Sequence, residues 1–247
     1  MSRVPLPLTI EQAQGVARSY VREFAPEKLE AIDAYHVWEM QYLPWVRDVL
    51  AKRIETDNLY CDEGKTALEV GPGWGTMALW LASRGWDVTV MDILAPDVFA
   101  PMGLYHDWRI GYAQADLSFA VVRSQRGVCR FDVVLCTQVL THIKRGLTTA
   151  ICGLSQMTSS SGLAVVSVAD RDYYQYEQDK VAYDDPAQVP TIRDADVAST
   201  PLMTVTTFNR CQFMTLLERG YYMVECARPD DSISLIATCT NPHDRSM

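Results

Sequence analysis

Leu68-Glu69-Val70-Gly71-Pro72-Gly73-Trp74-Gly75 decides the reading of this 247-residue chain. An apolar run with strand character ends in three glycines at alternate positions, and a helical pattern follows. Glycine at each bend lets the backbone turn sharply and approach a ligand with no Cβ in the way. An acid, Glu69, stands two residues before the first glycine. A carboxylate at a strand tip suits a cationic ammonium and repels a phosphate. A dinucleotide fingerprint, G-x-G-x-x-G, would also need glycine where the chain has Thr76.

Around this stretch the sequence alternates between strand and helix. Residues 66–70 are predicted as strand one, 76–84 as a helix stopped by Gly85, and 86–91 as strand two, ending at Asp92. Residues 111–115 form a short third strand ending at Asp116, and 131–136 an apolar fourth strand suited to the centre of a parallel sheet. A helix over 145–157, a turn at 159–162 and a fifth strand at 163–169 complete the alternation. After a helix at 209–219, two strands (221–228 and 232–240) are joined by Pro229-Asp230-Asp231, a link short enough to demand antiparallel pairing. The predicted fold class is α/β: a Rossmann-like seven-stranded, mostly parallel sheet with an antiparallel last strand and a helical N-terminal cap.

Two segments stand outside this rhythm. Residues 1–60 read as a helical N-terminal cap, with Thr9 as N-cap of the first helix and Pro44 splitting the later helical stretch; residues 61–247 read as the main domain. Tyr35, Trp38, Tyr42 and Trp45 recur at helical spacing, as a wall over a ligand or as core packing. Residues 170–206 are too long for an ordinary connection and read as a lid insertion carrying Tyr173, Tyr174 and Tyr176.

Composition excludes several classes. The net charge of −9 would be repelled by a phosphate backbone, so no nucleic-acid partner is expected. No run reaches membrane-spanning length and the N-terminus lacks a signal-peptide pattern, so the expected setting is the cytoplasm, without a membrane partner. The seven cysteines include no C-x-x-C pair; neither a metal site nor a disulfide framework is expected.

Taken in order, Glu69 to Gly75, Asp92 ending strand two, Asp116 after strand three, and Phe131 to Leu135 followed by Thr137 to Ile143 resemble the class I S-adenosylmethionine-dependent methyltransferases. The resemblance covers roughly residues 66–240. It implies S-adenosylmethionine as cofactor, with Gly71, Gly73 and Gly75 against its methionine and ribose and Glu69 helping to hold the ammonium. Asp92, with Ile93 beside it, is implied for the ribose hydroxyls. Asp116 and Leu117 are implied for the adenine, although a strand-end Asp also serves to start a turn. Thr137 and Gln138 are implied beneath the methionine end.

The acceptor is read by elimination. The chain has Cys136-Thr137-Gln138-Val139 where base-amine methyltransferases of the family carry an Asn/Asp-Pro-Pro-Tyr. It lacks the paired glutamates of arginine methyltransferases and the Pro-Cys of cytosine-C5 enzymes. A small molecule remains, of the sugar or secondary-metabolite kind, O-methylated in preference to N-methylated. His142 and His36 are the candidate bases, each with packing as the alternative. Tyr35, Trp38, Tyr42 and the three lid tyrosines are the candidate substrate cap. A homodimer is a further expectation. A non-catalytic binding module and aminopropyl transfer are the competing functions.

Overall fold

The computed structural model describes residues 7–56, 64–124, 127–143, 146–170, 180–182, 205–228 and 234–243. Two compact units, Met1–Ala115 and Asp116–Met247, make up the chain.

In the first unit, helix α1 (Ile10–Phe24) starts from a capping box: the Thr9 hydroxyl accepts from the Gln12 N–H while the Gln12 side chain accepts from the Thr9 N–H. A 3₁₀ turn, Pro26–Lys28, leads into α2 (Leu29–Glu39), and α3 covers Leu43–Thr56. The break between α2 and α3 falls at residues 40–42, ahead of Pro44. Pro44 then lies in the first turn of α3, where its missing N–H has no helical partner to lose. Strand β1 (Thr66–Val70) is buried from Ala67 onward. It is followed by α4 (Thr76–Ala82), β2 (Asp87–Asp92), α5 (Met102–Asp107) and β3 (Gly111–Gln114). β1 pairs in parallel with β2, and β2 with β3. Helix α5 lies in the Pro- and Gly-containing stretch between β2 and β3.

The second unit holds a small hairpin of β4 (Arg123–Ser124) and β5 (Gly127–Val128), then β6 (Phe131–Thr137), α6 (Leu147–Met157) and β7 (Thr158–Ala169). The expected turn at 159–162 is instead part of β7. The register passes from Phe131 opposite Thr158 to Val133 opposite Leu163, so the extra polar residues form a bulge within the strand. Gly162 is required there: a Cβ would lie 3.0 Å from the carbonyl oxygens of both Phe131 and Asp132.

Of the expected lid, the described parts are Asp170, β8 (Lys180–Ala182) and the start of β9 (Val205–Thr207), with which β8 pairs in parallel. Helix α7 (Arg210–Leu217), again started by a capping box, leads to β10 (Tyr221–Ala227) and β11 (Ser234–Pro242). These last two strands pair antiparallel as their short link demanded, and β11 is also antiparallel to β7.

Seven strands form one sheet in the order β10-β11-β7-β6-β1-β2-β3, with β11 the strand that runs against its neighbours. The expected fold class is therefore the observed one. Among the described residues no helix is long and apolar enough to cross a membrane. Of the cysteines, Cys136, Cys226 and Cys239 are buried core residues, whereas Cys211 is exposed.

Candidate active site

The glycine turn leaves the carboxyl end of β1 with Gly71, Gly73 and Gly75 all in the left-handed region, at φ 65°, 53° and 83°. An L side chain pays a steric penalty there, so the turn needs glycine three times over. The Gly71 N–H donates to the Met91 carbonyl at 2.8 Å and the Gly75 N–H to the Pro72 carbonyl at 2.8 Å, which fixes the turn against β2. Gly73 is also the point of closest approach. An ideal Cβ on it would lie 2.6 Å from the Tyr35 hydroxyl oxygen. Helix α2 thus reaches the turn through Tyr35, whose ring packs on Trp38 (centroids 5.2 Å apart), which in turn meets Tyr42 edge-on at 4.9 Å. Trp45, on α3, is 43% exposed and does not continue this row.

Beneath the turn two carboxyl groups are buried. Glu69 is 3% exposed, and its Oε2 has no hydrogen-bond partner. Burial, followed by the neighbouring Glu39 carboxylate, pushes its pKa up to about 8; the Ala78 backbone N–H opposes the shift. Glu39, at the end of α2, is equally buried, and its Oε2 accepts from the Gln14 amide at 3.0 Å and from the Thr76 hydroxyl at 2.8 Å. Burial raises it to about 7, with those two hydrogen bonds pulling the other way. Tyr35, Tyr42 and Tyr105 surround the acids. All three phenols are pushed upward, first by burial and then by adjacent groups that include Glu69, so they stay neutral.

Asp92 ends β2 as expected. Its Oδ1 accepts from the Leu94 N–H at 2.9 Å, and burial raises its carboxyl. Ile93 beside it is 58% exposed. Asp92 and Gly73 line a cavity of about 10 Å³ together with Pro72, Phe99, Tyr105 and Tyr112. That is room for about one water, so the aromatic residues pack closed here. The first unit thus brings together Glu69, the three glycines, Asp92 and Tyr35. Glu39 was missed in the sequence because its role depends on where α2 packs, which no local pattern specifies.

His36 does not join this group. It faces α1, with its Nε2 buried and unpartnered, and its pKa is lowered to about 4 by burial, with Asp33 opposing and Arg18 assisting. At neutral pH it is an uncharged, weakly basic imidazole.

In the second unit, Asp116 Oδ1 accepts from the Ser118 N–H at 2.8 Å, and its carbonyl accepts from the Phe119 and Ala120 N–H groups. It starts a turn, the alternative role for a strand-end Asp. Leu117 and Thr137 are buried. Gln138, a non-glycine residue at φ 61°, is held tightly: its amide donates to Ser167 Oγ at 3.2 Å and to Ser234 Oγ at 2.9 Å, and its carbonyl accepts from Thr141 at 2.6 Å. His142 closes a 3₁₀ turn, Leu140–His142, with its side chain exposed. Tyr173, Tyr174 and Tyr176 lie outside the described residues. Among the described residues no cluster of three or more His, Cys, Asp or Glu side chains is placed to hold a metal ion.

Residues 42–200 match the family model described as a methyltransferase domain. The chain belongs to the methyltransferase domain family. The resemblance to class I S-adenosylmethionine-dependent methyltransferases that the glycine turn and strand-end acids carry is thereby upheld. This chain is 30% identical over 112 residues to a ubiquinone biosynthesis O-methyltransferase of Rickettsia typhi, a stretch that is 44% of this chain and 43% of that protein. The chain spans less than half the length of the curated relatives it matches. The fold is shared with the 1,6-didemethyltoxoflavin-N1-methyltransferase of Burkholderia thailandensis, solved with 1,6-didemethyltoxoflavin and S-adenosylhomocysteine (17% identity, TM-score 0.54, 96% of this chain and 92% of that one). It is also shared with the S-adenosylmethionine-dependent methyltransferase SibL in its apo form (15% identity, TM-score 0.55, 92% of this chain and 62% of that one).

Proposed function

We infer that this chain transfers the methyl group of S-adenosylmethionine to a small-molecule acceptor, oxygen in preference to nitrogen. One observation carries the reading: a buried carboxyl oxygen, Glu69 Oε2, stands unpartnered beneath a turn of three left-handed glycines. A buried polar oxygen without a donor is costly, and the ammonium of the cofactor's methionine end would satisfy it. Gly71, Gly73 and Gly75 would give the backbone access that the nucleoside needs, Asp92 would accept from the ribose hydroxyls, and Ile93 offers an exposed apolar face for the adenine. Asp116, Leu117, Thr137 and Gln138 remain the proposed contacts from the second unit.

When bound, the sulfonium supplies an electrophilic methyl carbon, so the protein's work is mainly alignment. Tyr35, Trp38 and Tyr42 on the N-terminal helices, with the lid tyrosines Tyr173, Tyr174 and Tyr176, form the proposed acceptor cap. An alcohol acceptor also has to lose a proton. His142, exposed at a strand-end turn, fits that role better than His36, which burial keeps neutral and poorly basic. The O-methyltransferase names of the curated relatives support the preference for oxygen. The net charge of −9 argues against a nucleic-acid partner; a cytoplasmic setting and a homodimer are the proposed state. Incubation with methyl-labelled S-adenosylmethionine and a panel of hydroxylated and amine-bearing small molecules tests the reading. Transfer to a hydroxyl is the expected outcome; cofactor binding with transfer to no acceptor would favour a binding module.

A further inference from the structure

Glu39 has no counterpart in the glycine motif, yet the fold brings it to the same place. It comes from the last turn of α2, and both of its hydrogen bonds fall on Oε2: one from Gln14 on α1, the other from Thr76, the first residue of α4 after the glycine turn. Among the described residues no donor reaches Oε1. One residue from each of three helices is therefore locked around a single buried carboxyl, four positions along α2 from the tyrosine that covers Gly73. That carboxyl is near enough to Glu69 for its charge to act on it. Two acids buried side by side repel when both are ionised. Burial without a neighbouring cation favours the protonated forms, and a cation brought beside the pair reverses that preference.

The groups that face the pair are few. From α2 and the break after it come Tyr35 and Tyr42, and from α5 Tyr105, with Asp92 acting on Tyr35 and Tyr105 from the end of β2; all are neutral or acidic. Among the described residues neither acid has a Lys, Arg or His as a salt-bridge partner. The local field is thus uniformly suited to a cation and lacks one.

We propose that Glu39 is a second carboxyl of the cofactor site, a positioning residue that acts with Glu69 on the methionine-end ammonium and couples binding to proton release. This rests on the cofactor reading above. Without ligand the pair is held largely protonated at pH 6.5 and below, since both groups sit above the ordinary carboxylate range. A cation beside them favours the ionised forms and expels protons. Affinity therefore rises with pH up to about 8 and levels off above it. The slope approaches about tenfold per pH unit for each proton released.

Isothermal titration of the full chain with S-adenosylhomocysteine, in buffers of different ionisation enthalpy from pH 6 to 8.5, reads this directly. Wild type is expected to release more than one proton per ligand at pH 6.5. Glu39→Gln keeps an oxygen for Gln14 and Thr76 but removes the charge. It is expected to release one proton or fewer, with a pH dependence moved to lower pH because Glu69 loses its like-charged neighbour, and to bind at least tenfold more weakly at pH 8. Glu39→Asp, which keeps the charge, is expected to retain the wild-type pH dependence. If Glu39→Gln binds with wild-type affinity and wild-type proton release, the proposal is overturned while the cofactor reading stands. Should that variant fail to fold, release of one proton or fewer by wild type overturns it equally. If wild type binds no S-adenosylhomocysteine at any pH, the cofactor reading fails and Glu39 loses its role with it.

Discussion

The hydroxyl of Tyr35 occupies the space into which a side chain on Gly73 would grow: a Cβ there would lie 2.6 Å from it. One contact therefore links the N-terminal helices to the turn that defines the fold. Gly73→Ala meets two penalties, the left-handed backbone at φ 53° and the phenol. The backbone term alone is about 1–2 kcal/mol. The substitution should lower thermal stability and weaken S-adenosylhomocysteine binding by tenfold or more. Tyr35→Ala in the same chain should recover part of the stability, because it removes the clash but not the strain. Strict additivity of the two changes in a double-mutant cycle would show that the contact carries no energy.

Asp92 separates binding from folding. Its carboxyl caps the Leu94 N–H, a bond worth about 1 kcal/mol. Asp92→Ala should lower the melting temperature by only a few degrees and reduce cofactor affinity far more, by one to two orders of magnitude, as measured by titration calorimetry. Loss of stability with unchanged affinity would assign Asp92 to the turn alone.

The buried acids make stability depend on pH in a definite direction. Glu39 and Glu69 sit at about 7 and about 8 in the folded chain, against 4.5 ordinarily. Between those limits the folded state holds protons that the unfolded state has given up. The stabilisation is complete below about pH 4.5 and is lost as pH rises through about 7 and 8. The ligand-free protein should therefore melt at lower temperature at pH 8.5 than at pH 6, and Glu69→Gln should flatten that difference. A melting temperature that rises over the same interval would contradict the assignment.

The two histidines should respond differently. His142→Gln should reduce methyl transfer to an alcohol acceptor by about two to four orders of magnitude while leaving S-adenosylhomocysteine affinity within about twofold. His36→Gln should alter thermal stability, since the ring is buried against α1, and leave the pH–rate profile in place. Unchanged turnover in His142→Gln would remove that residue from the chemistry.

Much of this was legible from the residues. The glycine turn, the strand-end acid Asp92 and the antiparallel final pair follow from local rules: backbone positions only glycine tolerates, side-chain periodicity and link length. The Thr9 N-cap was equally local. Four features were not. The Ser-rich stretch 159–162 has turn composition but is absorbed as a bulge, because parallel pairing with β6 continues on both sides of it. Pro44 marked the helix boundary two residues late, since a proline in a first turn begins a helix rather than ending one. Glu39 carries no local signal in the sequence; only the packing of α1, α2 and α4 around it buries its carboxyl. His36 was placed by its aromatic neighbours in sequence, whereas the helix turns it some 100° away from Tyr35, toward α1.

The most direct test is a crystal structure of the protein with S-adenosylhomocysteine. The account predicts its amino nitrogen within about 3 Å of Glu69 Oε2, with the ribose on Asp92. A bound ligand that leaves Glu69 Oε2 still unpartnered, or a dinucleotide seated on the glycine turn in its place, would contradict it.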